Sequence, residues 1–354
     1  MKLLLIFGNG FDLNLGMPTS YRHFLKYFMD SSAYDNSENI IKLKSLINKD
    51  YDKWADFEVA LGEVSSQFDD SDSYIDAVEN VSQALTIYLS EIDKRFEPNP
   101  NIVMKFFKDI ESFEGYFDLK QQHLWSHFGE SRQIDTKKWE YDIMTFNYTS
   151  SLEKILRMAV GDLGANVSSI KNIEHIHMTL KEGLLMGVND ESQIANRYFQ
   201  SSYPVKSTVV KPFVNREFDD GIDAKCRKMI NSADVILLFG VSLGKTDADW
   251  WNYIGKALLN TNKILVYCPF DTEHHLQQKT QILRRNHEFS MKVRAALMSK
   301  DIDVLAPMGE ILPIRENRMF DFGIDHSTLD VNFQLVYQDL LTSEPIKTTS
   351  FPTR

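Results

Sequence analysis

The feature that most constrains the fold is an uninterrupted apolar run near the N-terminus that ends in a glycine turn. Leu3 to Phe7 are all apolar, and Gly8-Asn9-Gly10 follows them directly. A run without polar interruption is typical of a strand that is buried on both faces of a parallel sheet. The glycines allow a tight turn and leave room for a ligand to approach the backbone.

The residues after this turn are similar to a nucleotide-binding corner, although their spacing differs from the usual one. Asp12 can cap the next segment, and Gly16-Met17-Pro18 interrupts the chain before a helical pattern that begins near Thr19. A strand, a glycine turn and a helix start together form the phosphate-binding corner of dinucleotide folds. The spacing here is G-x-G-x5-G instead of G-x-G-x-x-G. These residues alone therefore leave both nucleotide binding and a purely structural turn open.

The rest of the chain alternates predicted strands with helical segments, which indicates a parallel α/β sheet. Strands are predicted at Tyr141–Phe146, Ile173–Ile176, Gly183–Val188, Ala233–Val241, Lys263–Tyr267 and Ile302–Leu305. From about Ile40 to His127, apolar residues recur only at helical spacing. We therefore predict a discontinuous Rossmann domain over 1–30 and 137–312, an all-helical insertion over 31–136 and a C-terminal extension over 313–354. Val205 to Asp220 is polar and is predicted to be a mobile loop.

Composition excludes several classes of protein. The formal net charge is -11, whereas nucleic-acid binding relies on a basic surface, so we do not expect nucleic acid as a partner. Cys226 and Cys268 belong to no CxxC pair, which argues against a disulfide framework and a four-cysteine zinc site. The N-terminal apolar run is shorter than a signal-peptide core, and no run has the length of a membrane span. A soluble, cytoplasmic protein is expected.

Polar residues follow four predicted strands, and we expect them to meet in one cleft because ligands bind at the carboxyl ends of such strands. The four groups are Gly8–Asp12, Thr145–Tyr148, His175–His177 and Gly240–Leu243. Asn147 is either a turn or helix-cap residue or an amide that holds a water or a sugar hydroxyl. His175 and His177 alternate along a strand, so only one of them can face the cleft. A metal site built from this pair is not expected.

The order of these motifs resembles that of the sirtuins, and it is more closely similar to the AbiH family of bacterial abortive-infection, phage-defence proteins. The residues that carry the AbiH resemblance are Gly8–Leu13 (G-N-G-F-D-L), Gly16–Tyr21 (G-x-P-T-x-Y), Trp54–Glu58 (W-x-D-x-E), Thr145–Thr149 (T-F-N-Y-T) and Ile176-His177. Gly240 to Leu243 (G-V-S-L) resembles the G-T-S-L segment of sirtuins.

The resemblance implies a sirtuin-like Rossmann fold that takes NAD+ as its substrate, with no metal. It assigns Asn147 to the attacking water or the nicotinamide ribose, and His177 to the role of general base. It implies nucleotide contacts by Gly8, Asn9, Gly10, Phe11, Asp12, Gly16, Pro18, Thr19, Tyr21, Thr145, Tyr148, Gly240, Ser242 and Leu243. Asp12 would bind a ribose hydroxyl or merely cap the first helix.

Three departures from the sirtuin pattern bear on the activity. The cysteine quartet of sirtuins is missing, so protein deacylation is not expected. Thr149 stands where many sirtuin-like enzymes have Asp, and Met178 stands where Gly is usual. The leading hypothesis is that the protein is an NAD+ glycohydrolase that acts in abortive infection. We expect a phage protein as its trigger and further copies of the same chain, in a homo-oligomer, as partners. The alternative is a catalytically weak sensor that binds NAD+ or ADP-ribose. A nuclease has little support, because no carboxylate cluster follows a strand.

Overall fold

A six-stranded, all-parallel sheet forms the centre of the molecule, with the strand order β3-β2-β1-β4-β5-β6. The structure is a computed structural model that describes residues 1–35, 37–132, 139–164, 167–218, 221–270, 279–298, 308–314, 319–324 and 327–342. The strands are β1 (Lys2–Phe7), β2 (Glu140–Thr145), β3 (Ile170–His175), β4 (Val235–Phe239), β5 (Ile264–Cys268) and β6 (Glu310–Pro313). This is the order of dinucleotide-binding sheets, so the prediction of a Rossmann-like α/β fold is confirmed.

The strand register brings four strand ends to one level. Phe7 of β1 pairs with Thr145 of β2 and with Phe239 of β4, and Thr145 pairs in turn with His175 of β3. Each of these residues is the last of its strand. Because the strands are parallel, the segments that follow them emerge together at the same edge of the sheet. The convergence expected from the sequence therefore has a structural basis.

Helices cover both faces of the sheet and form the whole regular structure between β1 and β2 in the described residues. They are α1 (Gly10–Asn14), α2 (Tyr21–Asp30), α3 (Glu38–Lys49), α4 (Phe57–Val64), α5 (Ser71–Arg95), α6 (Pro100–Glu111), α7 (Leu119–Arg132), α8 (Ser151–Gly161), α9 (Tyr203–Val209), α10 (Lys211–Phe218), α11 (Ile222–Ser232), α12 (Ala248–Leu258), α13 (Lys279–Leu297) and α14 (Ser327–Thr342). The helical pattern predicted from Ile40 to His127 is confirmed. Among the described residues, no helix combines the length and apolar character needed to cross a membrane.

Two predictions for the segment between β3 and β4 are wrong. A third prediction, for a strand after β5, cannot be compared because it lies outside the described residues. Val205 to Asp220 is not a loop as far as residue 218, because α9 and α10 occupy it and bury the apolar side of each helix. Each helix makes only about two turns, so the few apolar residues among its polar ones do not repeat often enough to show a helical period. Gly183 to Val188 forms no strand; Val188 makes only an isolated bridge with Val210. The strand predicted at Ile302–Leu305 falls outside the described residues.

The C-terminal residues pack against the turn that follows β1. The Phe320 ring lies 5.3 Å from the ring of Phe7 and 5.7 Å from that of Phe11, measured between centroids. Asn332 of α14 donates a hydrogen bond of 2.6 Å from Nδ2 to the carbonyl oxygen of Gly16. Edge-to-face contacts between buried aromatic rings stabilise a core beyond the area that they bury. Phe320 and α14 thus help to hold the position of the glycine turn.

Candidate functional site

A cavity of about 610 Å³ opens at the carboxyl edge of the sheet, where the segments after β1, β2 and β4 meet. Its volume lies in the range of small-molecule binding sites, which is roughly 300–1,000 Å³. Helical residues between β1 and β2 supply one wall of the cavity, including Glu58 and Leu89. The cavity is therefore bounded both by strand ends and by the helical block.

The structure brings most of the predicted site residues to this cavity. Those that line it are Gly8, Asn9, Asp12, Thr19, Tyr21, Asn147, Tyr148, His177, Gly240 and Ser242. The remaining predicted residues are not part of its wall, and they are Gly10, Phe11, Gly16, Pro18, Thr145 and Leu243. Phe11 is 1% exposed and packs in the aromatic cluster with Phe7 and Phe320.

Close packing between two turns explains the glycines of the corner. A Cβ atom on Gly10 would lie 2.6 Å from the Cα of Gly240, and a Cβ atom on Gly240 would lie 2.7 Å from the Cα of Gly10. Gly240 also has a φ of +65°, which favours glycine. The sequence suggested that the glycines leave room for a ligand. The structure shows that the space beside Gly10 is filled by the turn after β4, while Gly8 still lines the cavity.

Asp12 is a buried carboxylate in the cavity wall. It lies within α1, and the N-cap of that helix is Asn9, so the capping role considered for Asp12 is wrong. Its carboxylate accepts hydrogen bonds of 2.6 Å from the hydroxyls of Thr149 and Ser151. Burial raises the pKa of Asp12 to about 6, against the opposing effect of these hydrogen bonds. Thr149 has no carboxylate of its own, but its hydroxyl is hydrogen-bonded to the carboxylate of Asp12.

His175 supports the loop after β2 from outside the cavity. Its Nδ1 lies 2.8 Å from the carbonyl oxygen of Asn147, and its Nε2 lies 2.7 Å from Glu153 Oε1. Burial disfavours the charged imidazole, but the hydrogen bond and the charge of Glu153 outweigh it and raise the pKa of His175. His177, and not His175, lines the cavity, so one of the pair faces the cleft as predicted. The predicted reason is wrong, because β3 ends at His175 and His177 lies in the turn after the strand. Asn147 does not cap α8, because the N-cap of that helix is Ser150.

A buried network of charges adjoins His177. His177 Nε2 lies 2.9 Å from Asp247 Oδ1, and Lys211 Nζ lies 2.8 Å from the same oxygen. Lys211 Nζ also lies 2.8 Å from Glu58 Oε2. Tyr21 donates from its hydroxyl to the other oxygen of Glu58 at 3.2 Å. The network joins the helical block to the wall that carries His177.

The charges in this network support one another. Burial disfavours the charge of Lys211, which is 3% exposed, but Asp247 and Glu58 outweigh that effect and raise the pKa of Lys211. Burial likewise opposes the charge of Asp247, while Lys211 and His177 hold the pKa of Asp247 well below its ordinary value. A lysine is rarely buried in a protein unless it is paired, so this pairing is what makes its position tolerable.

Sequence reasoning missed most of this network. No motif in the sequence marks Asp247, and Lys211 lies in the segment predicted to be a loop. Glu58 belongs to the W-x-D-x-E motif, which drew notice without a role. The contacts join residues that are far apart in the chain, so no local pattern relates them. Among the described residues, no group of three or more His, Cys, Asp or Glu is placed to hold a metal ion.

Comparison with known families gives one match. The family model described as bacteriophage abortive infection AbiH matches residues 4–268. That span extends from β1 to the end of β5 and includes every residue that lines the cavity. No curated protein matches the chain.

Proposed function

The chain belongs to the AbiH family of bacteriophage abortive-infection proteins, and from this premise we propose that it hydrolyses NAD+ to nicotinamide and ADP-ribose. The observation that supports the proposal is the meeting of the glycine turn, Asn147 and His177 in one cavity. In open parallel sheets, dinucleotides bind where the strand order reverses. Here that point lies between β1 and β4, whose following turns both line the cavity. The similarity of motif order to sirtuins supports the same substrate.

The charges of the cavity wall give the substrate a direction. The diphosphate would lie against the turns after β1 and β4, near Gly8 and Ser242, in a cavity whose wall also includes the cationic Arg22. The nicotinamide ribose would lie toward Asn147 and His177. Asp247 lies on that side, next to His177, and Glu58 is joined to Asp247 through Lys211. Nicotinamide in NAD+ is cationic, and carboxylates nearby favour it and the positive charge that develops on the ribose.

The reaction asks for positioning and for one proton acceptor. The bond between the ribose C1′ and the nicotinamide nitrogen breaks, and its electron pair leaves with nicotinamide. A water oxygen forms the new bond to C1′ through an oxocarbenium-like transition state, as in glycoside cleavage. Asn147 would orient that water or the ribose, and His177 would accept the proton that the water loses. The products are nicotinamide, ADP-ribose and one proton.

Release of nicotinamide from NAD+ by the purified protein tests the proposal. Asn147→Ala and His177→Ala should each abolish the release, because they remove the positioning amide and the proton acceptor. His127→Ala is the matched control, since His127 is an exposed residue of α7, outside the cavity wall. The same measurement is made on cells that express the protein and are infected with phage. If neither the purified protein nor infected cells release nicotinamide, the proposal fails.

A sensor that binds NAD+ or ADP-ribose without turnover is the second candidate. Met178 directly follows His177 and has a φ of 66°, a conformation that glycine adopts at far lower cost. A strained residue beside the proposed base is compatible with a site that binds without catalysis. Calorimetry that shows tight binding of NAD+ without nicotinamide release would favour the sensor. Absence of binding by both nucleotides would reject it.

A further inference from the structure

We infer that Asp247 is a positioning residue that fixes the orientation and proton of His177, and that Lys211 and Glu58 set how strongly it acts. The contact that carries the inference is the single oxygen Asp247 Oδ1, which meets both His177 Nε2 and Lys211 Nζ. The catalytic part of the inference rests on the proposed function, because it concerns the group that accepts the proton. The structural part, which is the state of the imidazole, can be measured without turnover.

The contact to Asp247 determines which nitrogen of His177 carries the proton. A carboxylate oxygen accepts hydrogen bonds, so at 2.9 Å the Nε2 of His177 must donate to it. In the neutral imidazole the other nitrogen, Nδ1, is then the acceptor. His177 is 5% exposed and lines the cavity, so Nδ1 is the nitrogen left to receive a proton from a bound water. In serine hydrolases a carboxylate also orients a general-base histidine, but there it binds Nδ1 and leaves Nε2 as the base, so the two nitrogens exchange roles in His177.

Lys211 and Glu58 adjust the strength of the Asp247 charge. Asp247 favours a protonated, cationic His177, whereas Lys211 partly neutralises Asp247 and opposes that state. Glu58 forms a second ion pair with Lys211, and its negative charge partly offsets the effect of the lysine on Asp247. Removal of Lys211 should therefore favour the cationic imidazole, and removal of the Glu58 charge should disfavour it. The two changes act in opposite directions on the same side chain.

Other ionisable groups surround this network and must be counted with it. Around His177, a second cavity of about 20 Å³ is lined by Asp223, Arg227 and Asp249, together with Lys211 and Asp247. Tyr21 and Tyr148 adjoin the network from the main cavity, and burial raises the pKa of both well above its ordinary value. Both hydroxyls therefore stay neutral near pH 7. None of these groups shares the oxygen on which His177 and Lys211 meet.

Nitrogen NMR of the histidine rings tests the first part on the whole protein. In the wild type, the neutral His177 ring should carry its proton on Nε2 alone, and Asp247→Ala should add a measurable fraction of rings with the proton on Nδ1. A wild-type ring with its proton on Nδ1 overturns the inference. Because this measurement needs no substrate, it stands even if the protein releases no nicotinamide. Failure of the proposed function and failure of this inference are thereby distinguished.

The pH dependence of nicotinamide release tests the second part. Lys211→Met should move the acidic limb of the rate profile upward by about one pH unit, and Glu58→Gln should move it downward. Asp247→Ala should lower turnover about 10²-fold or more. Where Lys211→Met alone does not fold, the double variant with Glu58→Gln removes one charge of each sign and should still move the limb upward. If turnover is absent, the balance between the cationic and the neutral His177 ring, measured by nitrogen NMR at one fixed pH, should change in the same opposed directions in these variants.

A purely structural role would give a different pattern. If the ion pairs only hold the fold together, Lys211→Met and Glu58→Gln should both lower the rate and leave the shape of the pH profile unchanged. That result overturns the inference. Lys225→Met is the matched control, since Lys225 is an exposed lysine of α11 that pairs with Glu174 at 3.5 Å. It should change neither the rate nor the profile.

Discussion

Replacement of Asp12 by asparagine should stabilise the fold at neutral and alkaline pH. The carboxyl is 1% exposed, and burial raises its pKa from the ordinary 3.8 to about 6. The folded protein thus binds this proton more tightly than the unfolded chain does. Asp12 therefore contributes its full stability below pH 3.8, and the contribution is lost as the pH rises through 6. An asparagine has no charge to bury and does not show this loss.

The size of the effect follows from the difference between the two pKa values. From 3.8 to about 6 is roughly two pH units, and each unit corresponds to about 1.4 kcal/mol. The free energy of unfolding of Asp12→Asn, relative to the wild type, should therefore rise by about 2.5 kcal/mol between pH 4 and pH 8. The effect is large compared with the total stability of a domain, which is about 5–15 kcal/mol.

Urea unfolding of both proteins at several values between pH 4 and pH 8 measures this difference. Thr149→Val is the matched control, because it leaves the carboxylate buried and removes one of its hydrogen bonds. It should lose stability relative to the wild type, and lose more at pH 8 than at pH 4. A difference between Asp12→Asn and the wild type that is the same at both ends of the range would refute the reasoning.

Three further changes have definite expected outcomes. Gly240→Ala should cost about 1–3 kcal/mol, because its Cβ would lie 2.7 Å from a backbone atom of the facing turn, whereas Gly115→Ala, with no atom within 4 Å of the new Cβ, should change little in thermal unfolding. Phe320→Ala should cost about 3–5 kcal/mol in urea unfolding, since the ring is fully buried, and Phe218→Ala, 68% exposed, should cost almost nothing. Met178→Gly should raise the melting temperature slightly, because it relieves about 1 kcal/mol of strain at φ 66°; an unchanged or lower melting temperature would contradict this.

Much of the fold could be predicted from the chain, because strand burial is recorded in local composition. Leu3 to Phe7 and Val235 to Phe239 are apolar without interruption, and they lie in β1 and β4, two central strands of the sheet. The helical block was visible through its period. The errors fell where an element is short. The segment Val205–Asp220, which overlaps two helices of seven and eight residues, was predicted to be a loop, since neither helix completes enough turns to show a pattern.

Part of the candidate site could also be predicted from the sequence, and part of it could not. Asn147 and His177 could be proposed from the chain because each comes directly after or near a strand end, and parallel strand ends share one edge of the sheet. The pairing of His177 with Asp247, and of Lys211 with Glu58, could not be proposed in this way. The family resemblance includes Glu58 in its W-x-D-x-E motif, but it does not indicate which side chain Glu58 contacts.

The reason is physical. The spacing of hydrophobic residues and the positions of glycines are local properties of the sequence. They therefore suffice to predict β1, the glycine turn after it and the edge of the sheet at which a ligand can bind. A buried ion pair depends on which side chains share one dehydrated volume, and Lys211 is 153 residues away from the Glu58 that neutralises it. The need for the glycines was also set at a distance, because Gly10 and Gly240 must both lack a Cβ for their two turns to touch. Folding of the whole chain brings these partners together.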